Sequence, residues 1–181
     1  MPLFAIQSMN LDLPRNLALL DTNVLVAFAN DRDGNHDQAC LVVEEAEYEW
    51  LVPPPVVVEA CGLLDRRRGR DYVIRLLTWL LTPGMGVRLL PDPNHPIELA
   101  QAMRGHSRWM QRYEVDFVDA YLMQIADKLT RACDLKPHAP VFTFDTQDYY
   151  KCSLQGYLFS LYDMKELDLI EFRRNYSPPV M

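Results

Sequence analysis

Apolar residues along the chain fall into short dense runs separated by longer periodic stretches. Leu17 to Leu20 is a continuous apolar run that ends in Asp21, and apolar residues resume at helical spacing at Val24, Leu25 and Phe28. This pattern predicts a strand buried on both faces that feeds a helix over about 23–30. After the turn cluster 31–35, Ala39, Val42, Val43 and Ala46 mark an amphipathic helix over His36 to Tyr48. Trp50 to Val52 reads as a short second strand, stopped by Pro53, Pro54 and Pro55. Proline is tolerated in the first turn of a helix, so Val56 to Arg68 is expected to be helical, with Gly69 as its stop.

The second half repeats the alternation. Asp71 to Leu81 is a strongly apolar helix, Val87 to Leu90 a third strand, and Pro96 opens a helix to about Gly105. A basic, aromatic connector follows, with Arg104, His106, Arg108, Trp109, Arg112 and Tyr113. Val118, Leu122, Ile125 and Leu129 give Asp116 to Cys133 a buried helical face. Val141 to Phe144 is a strand that ends in Asp145, and Thr146 to Tyr150 is a turn or short helix. Gly156 to Leu161 has no clear period, and Leu167 to Phe172 is expected to be a last strand.

Strands that alternate with helices predict a three-layer α/β/α sandwich with a mostly parallel central sheet. The expected division is an arm over 1–16, one domain over 17–172 and a tail over 173–181. No apolar run reaches the length of a membrane span, and the first ten residues carry no basic residue. A cytoplasmic protein without membrane contact is expected. Cys40, Cys61, Cys133 and Cys152 are scattered, which points to reduced thiols rather than a zinc site. The net charge of −7 argues against a strongly basic nucleic-acid binder. It leaves room for an enzyme that holds cations among its acids.

Two predicted strands end in acids, Asp21 and Asp145, and two predicted helices carry an acid in an early turn, Glu59 and Asp119. Helices that leave parallel strands begin at the carboxyl edge of the sheet, so topology can bring all four together there. Two carboxylates about 5 Å apart repel by roughly 3 kcal/mol at an effective dielectric of about 20. Four of them need protons or divalent cations. An all-oxygen donor set favours Mg²⁺ or Mn²⁺, and such ions suit phosphodiester hydrolysis. Each acid also has a plain alternative. Asp21 and Asp116 are good helix caps, Glu59 sits where a helix dipole favours negative charge, and Asp145 can open a turn with Asp148.

The segments Leu-Leu-Asp21-Thr22-Asn23-Val-Leu-Val, Pro-Val-Val-Val-Glu59-Ala, Asp116-Phe-Val-Asp119-Ala and Val-Phe-Thr-Phe-Asp145 occur in this order. Together they resemble the PIN-domain family, the ribonuclease fold of VapC-like toxins and their relatives. The resemblance spans about 17–172. It implies single-strand-selective, metal-dependent RNA cleavage, with Asp21, Glu59, Asp119 and Asp145 as catalytic, metal-binding acids. It implies supporting roles for Thr22 and Asn23, with Asp116 and Asp148 as neighbouring acids and Asp148 a rival to Asp145. It further implies an RNA substrate, an antitoxin partner and a homodimer. Arg104, Arg108, Trp109 and Arg112 are candidate RNA contacts, with arginines on phosphates and the aromatic stacking a base. A solvated helix end with a packing tryptophan explains the same residues, and a solvated terminus likewise explains Arg66, Arg67, Arg68 and Arg70.

Two rival functions stand beside this one. A phosphatase using Asp21 as nucleophile would want a second acid two residues on, where this chain has Asn23. A catalytically silent binding module would keep the fold and lack a metal site that depends on Asp21.

Overall fold

A computed structural model of the protein describes residues 17–46, 48–89, 96–133, 138–153 and 158–167. Among the described residues, five strands form one sheet: β1 (Leu17–Leu20), β2 (Glu49–Val52), β3 (Val87–Leu89), β4 (Pro140–Thr143) and β5 (Ser160–Asp163). The described residues that connect them include seven helices: α1 (Thr22–Ala29), α2 (His36–Glu45), α3 (Pro54–Arg68), α4 (Arg70–Leu81), α5 (Pro96–Tyr113), α6 (Phe117–Cys133) and α7 (Gln147–Ser153). The strand order is β3-β2-β1-β4-β5, and every pairing is parallel. The expected α/β architecture is therefore the observed one, with a sheet that is wholly rather than mostly parallel.

The chain moves outward from β1 to β3, then returns to place β4 on the other side of β1. Right-handed crossovers put α1 to α4 on one face and α5 to α7 on the other. The contacts agree: α1 packs on α2, α3 and α4, and α5 packs on α6 and α7. The central strands explain their own composition. All four residues of β1 and all four of β4 are buried, as expected of parallel strands covered on both faces. Trp50 and Phe142 meet edge to face across the sheet at 5.2 Å, and the Trp50 indole N–H donates to the Val43 carbonyl at 3.0 Å.

Three boundaries differ from the sequence expectation. α5 does not stop near Gly105 but runs on to Tyr113, so the basic stretch from Arg104 is helix rather than connector. A mid-helix glycine costs about 1 kcal/mol, and the helix continues through it. A Cβ at Gly105 would stand 3.3 Å from Gln124 Oε1 of α6. α2 ends at Glu45 rather than Tyr48. The fifth strand lies at Ser160–Asp163, and Leu167 is outside any strand. The expected arm and tail, and 168–172 of the expected last strand, lie outside the described residues.

Candidate active site

The reversal of strand order falls between β1 and β4, and that is where open parallel sheets form crevices at their carboxyl edge. Asp21 follows β1 at this point. Its backbone N–H donates to the Phe142 carbonyl at 3.1 Å, and it caps α1. The residue is 4% exposed, so its charge must be met locally. Three donors meet it: the Thr22 N–H to Oδ1 at 2.6 Å, the Asn23 amide to Oδ2 at 2.8 Å, and the Thr143 hydroxyl to Oδ2 at 2.6 Å.

Thr22 and Asn23 reach beyond Asp21. The Thr22 hydroxyl donates to Glu59 Oε2 at 2.7 Å, which links α1 to the second turn of α3. Asn23 accepts the Phe144 N–H at 2.9 Å through Oδ1, while its amide also donates to Thr143 Oγ1 at 2.9 Å. Asn23 is thus oriented from both ends. Thr143 Oγ1 in turn accepts the Asp145 N–H at 2.9 Å. A buried threonine at the end of an apolar strand reads as ordinary strand composition, so Thr143 was not among the residues singled out from sequence.

Asp119 comes to the same edge from the start of α6. Asp116 caps that helix, accepting the Asp119 N–H at 2.9 Å, and its own side chain is exposed. The electrostatics show that these acids share one region. Asp21 is pushed up to about 6, first by burial and then by the charges of Asp116 and Glu59, against the opposing hydrogen bonds from Thr143 and Thr22. Asp119 is pushed up to about 8, first by burial and then by Asp21 and Asp116, with a further contribution from Asp148. Among these leading influences none is a cation.

The fourth acid is less simply placed. Asp145 is exposed, and its carboxylate accepts the Gln147 N–H at 3.3 Å where α7 begins. Asp148, one turn into the region, is half-buried, pairs with Lys151 at 2.6 Å and acts on Asp119. Next to it, Tyr149 is fully buried against Phe159, with its hydroxyl directed toward Asp119. Arg104, Arg108 and Arg112 are exposed on α5, and their spacing of four residues puts them on one stripe. The Arg112 guanidinium lies over the Tyr113 ring at 5.4 Å. The Trp109 side chain lies outside those described. Arg66, Arg67, Arg68 and Arg70 are at the α3–α4 junction: the first three are exposed at the end of α3, and Arg70 at the start of α4.

The donor set fits a hard divalent cation. It is all oxygen, it is half withdrawn from water, and its members raise one another's proton affinity for want of positive charge. Among the described residues, no three His, Cys, Asp or Glu side chains already stand around one point at metal-holding distance. Closing on an ion requires at least one carboxylate to turn inward. No helix among the described residues is long and apolar enough to cross a membrane.

Comparison with known proteins agrees with this geometry. The crystal structure of Mycobacterium tuberculosis VapC20, a Sarcin-Ricin loop cleaving toxin, shares the fold with a TM-score of 0.58 at 20% identity, covering 78% of this chain and 96% of that one. Among curated proteins, none matches the chain. The family model of the PIN domain matches residues 18–151, from the second residue of β1 into α7. With three-quarters of the sequence inside that match, the chain belongs to the PIN-domain family.

Proposed function

We propose that the protein is a metal-dependent endoribonuclease that cleaves phosphodiester bonds of single-stranded RNA. The observation that carries the reading is the juxtaposition of Asp21, Glu59 and Asp119 at the edge where the strand order reverses, with no cation among the leading influences on Asp21 and Asp119 from the described residues. Asp21, Glu59 and Asp119 would hold the ion, Mg²⁺ or Mn²⁺, with a further acid from Asp145 or Asp148. The bound ion supplies Lewis acidity and positive charge for phosphodiester hydrolysis.

The protein's own groups do the rest. Thr143, Asn23 and the Thr22 N–H fix both oxygens of Asp21, and the Thr22 hydroxyl fixes Glu59, so neither carboxylate has to be reoriented from a free rotamer. The stripe Arg104, Arg108 and Arg112 offers three positive charges on the helix packed against α6 and α7, where an RNA backbone would pass. VapC20, which shares the fold, is a toxin, and a toxin's role is the one proposed here, in a cytoplasmic setting. An antitoxin and a second copy of the chain are the proposed partners. Ile74 and Leu81 of α4 are exposed apolar side chains available to either.

The test is Asp21→Asn assayed on varied single-stranded RNAs with Mn²⁺ or with EDTA. The wild type is expected to cleave only with the ion, and the variant to keep its fold while losing cleavage by about 100-fold or more. Undiminished metal-dependent cleavage by the variant refutes the assignment. A wild type that neither cleaves nor binds Mn²⁺ returns the chain to the silent-module reading.

A further inference from the structure

Tyr149 is the most isolated polar group of the site. Its ring is buried on α7, packed edge to face against Phe159 at 6.2 Å between centroids, and the residue is 1% exposed. Among the described residues its hydroxyl is the one buried side-chain polar atom that makes no hydrogen bond of regular geometry. A buried hydroxyl without a partner of regular geometry is disfavoured, and one that persists calls for an explanation such as an absent ion or a working site. A phenylalanine would fill the same space without that cost. The hydroxyl does have a neighbour: it lies toward the Asp119 carboxyl, with Asp21 and Asp116 as the next charges. α6 and α7 pack directly, which brings the two side chains to one place.

We propose that Tyr149 is a positioning residue, whose hydroxyl donates to the outer oxygen of Asp119 and holds that carboxylate turned toward a divalent ion. The inference rests on the metal-site reading above and deepens it. Asp119 differs from Asp21 in what secures it. Asp21 has three donors, whereas Asp119 has its own backbone N–H committed to Asp116, and the one side-chain donor among the leading influences on its carboxyl is the Tyr149 hydroxyl. A carboxylate that ligates an ion through one oxygen is normally held by a donor on the other. Tyr149 is the group in place to supply it. Because the ring is packed on all sides, the donor enters the site with little rotational freedom left to lose.

Tyr149→Phe removes the hydroxyl and leaves the packing. Metal-free, this variant is expected to melt within about 2 °C of the wild type or slightly above it, since a buried unpaired hydroxyl is gone. Its Mn²⁺ dissociation constant, by calorimetry, is expected to rise about 10-fold or more. A crystal structure of the wild type with Mn²⁺ is expected to place Tyr149 Oη within about 3 Å of an Asp119 oxygen. An unchanged Mn²⁺ affinity in Tyr149→Phe, or a wild-type complex in which the hydroxyl bonds elsewhere, overturns the positioning role and leaves the metal site standing. A wild type that takes up no Mn²⁺ overturns both.

Discussion

The Thr143 hydroxyl donates to Asp21 Oδ2 at 2.6 Å, joining β4 to β1 across the point where the strand order reverses. Thr143 is fully buried, and its single oxygen also accepts from the Asn23 amide and the Asp145 N–H. One side chain therefore sets the position of the central acid, of its supporting asparagine and of the loop that leads to Asp145. Thr143→Val keeps the shape and removes all three bonds. It is expected to cost about 1–3 kcal/mol in urea unfolding and to weaken Mn²⁺ binding. A variant as stable as the wild type would show that the network is not held together at this oxygen.

The protonation of the site predicts an unusual pH dependence. Asp21 and Asp119 are raised by burial and by neighbouring acids, to about 6 and about 8. Between about pH 4 and 8 the metal-free native state thus holds protons that the unfolded chain has already released. Stability then falls as pH rises through that window, and the contribution is fully present only below it. Thermal melts in EDTA are expected to show a lower melting temperature at pH 8 than at pH 5. Mn²⁺ is expected to flatten or reverse that trend, because the ion replaces the protons. A metal-free melting temperature that climbs from pH 5 to pH 8 would contradict the arrangement.

Asp145 and Asp148 make different predictions. The Asp145 carboxylate is exposed and serves the start of α7, while Asp148 acts on Asp119. Asp148→Asn is expected to weaken Mn²⁺ binding more than Asp145→Asn does. Asp145→Asn is expected to leave most of the affinity intact, since asparagine also caps helices well. Paired calorimetric titrations decide the order, and the reverse ranking would assign the fourth position to Asp145.

The arginine stripe on α5 predicts a salt effect rather than a catalytic one. Replacing Arg104, Arg108 and Arg112 with alanine removes up to three phosphate contacts. For single strands each contact contributes about 0.7 to the slope of log affinity against log salt. Fluorescence anisotropy with a single-stranded RNA across a salt series is expected to show a slope shallower by up to about 2. An unchanged slope would place the RNA elsewhere.

The fold could be read from the chain wherever burial is complete. β1 and β4 are apolar throughout because both faces of a central parallel strand are covered. β5, at the sheet edge, is only half-buried along its length, and Ser160 to Asp163 carries no apolar run to announce it. Gly105 reads as a helix end because glycine is a common stop, whereas α5 runs through it beside α6. The acids Asp21, Glu59 and Asp119 were legible because carboxylates at strand ends and early helical turns are conspicuous. Thr143 and Tyr149 were not, because a hydroxyl on a buried side chain looks like packing until its neighbours are known.

The bond between Asp21 and Thr143 spans 122 residues of chain. During translation Asp21 leaves the ribosome well before Thr143, the strand residue that must bond to it. A nascent or truncated product that stops before β4 carries Asp21, Glu59 and Asp119 but lacks Thr143, which orients Asp21, and the acids Asp145 and Asp148. The central carboxylate therefore gains its full set of donors only once β4 has been made, a consequence of strand order alone.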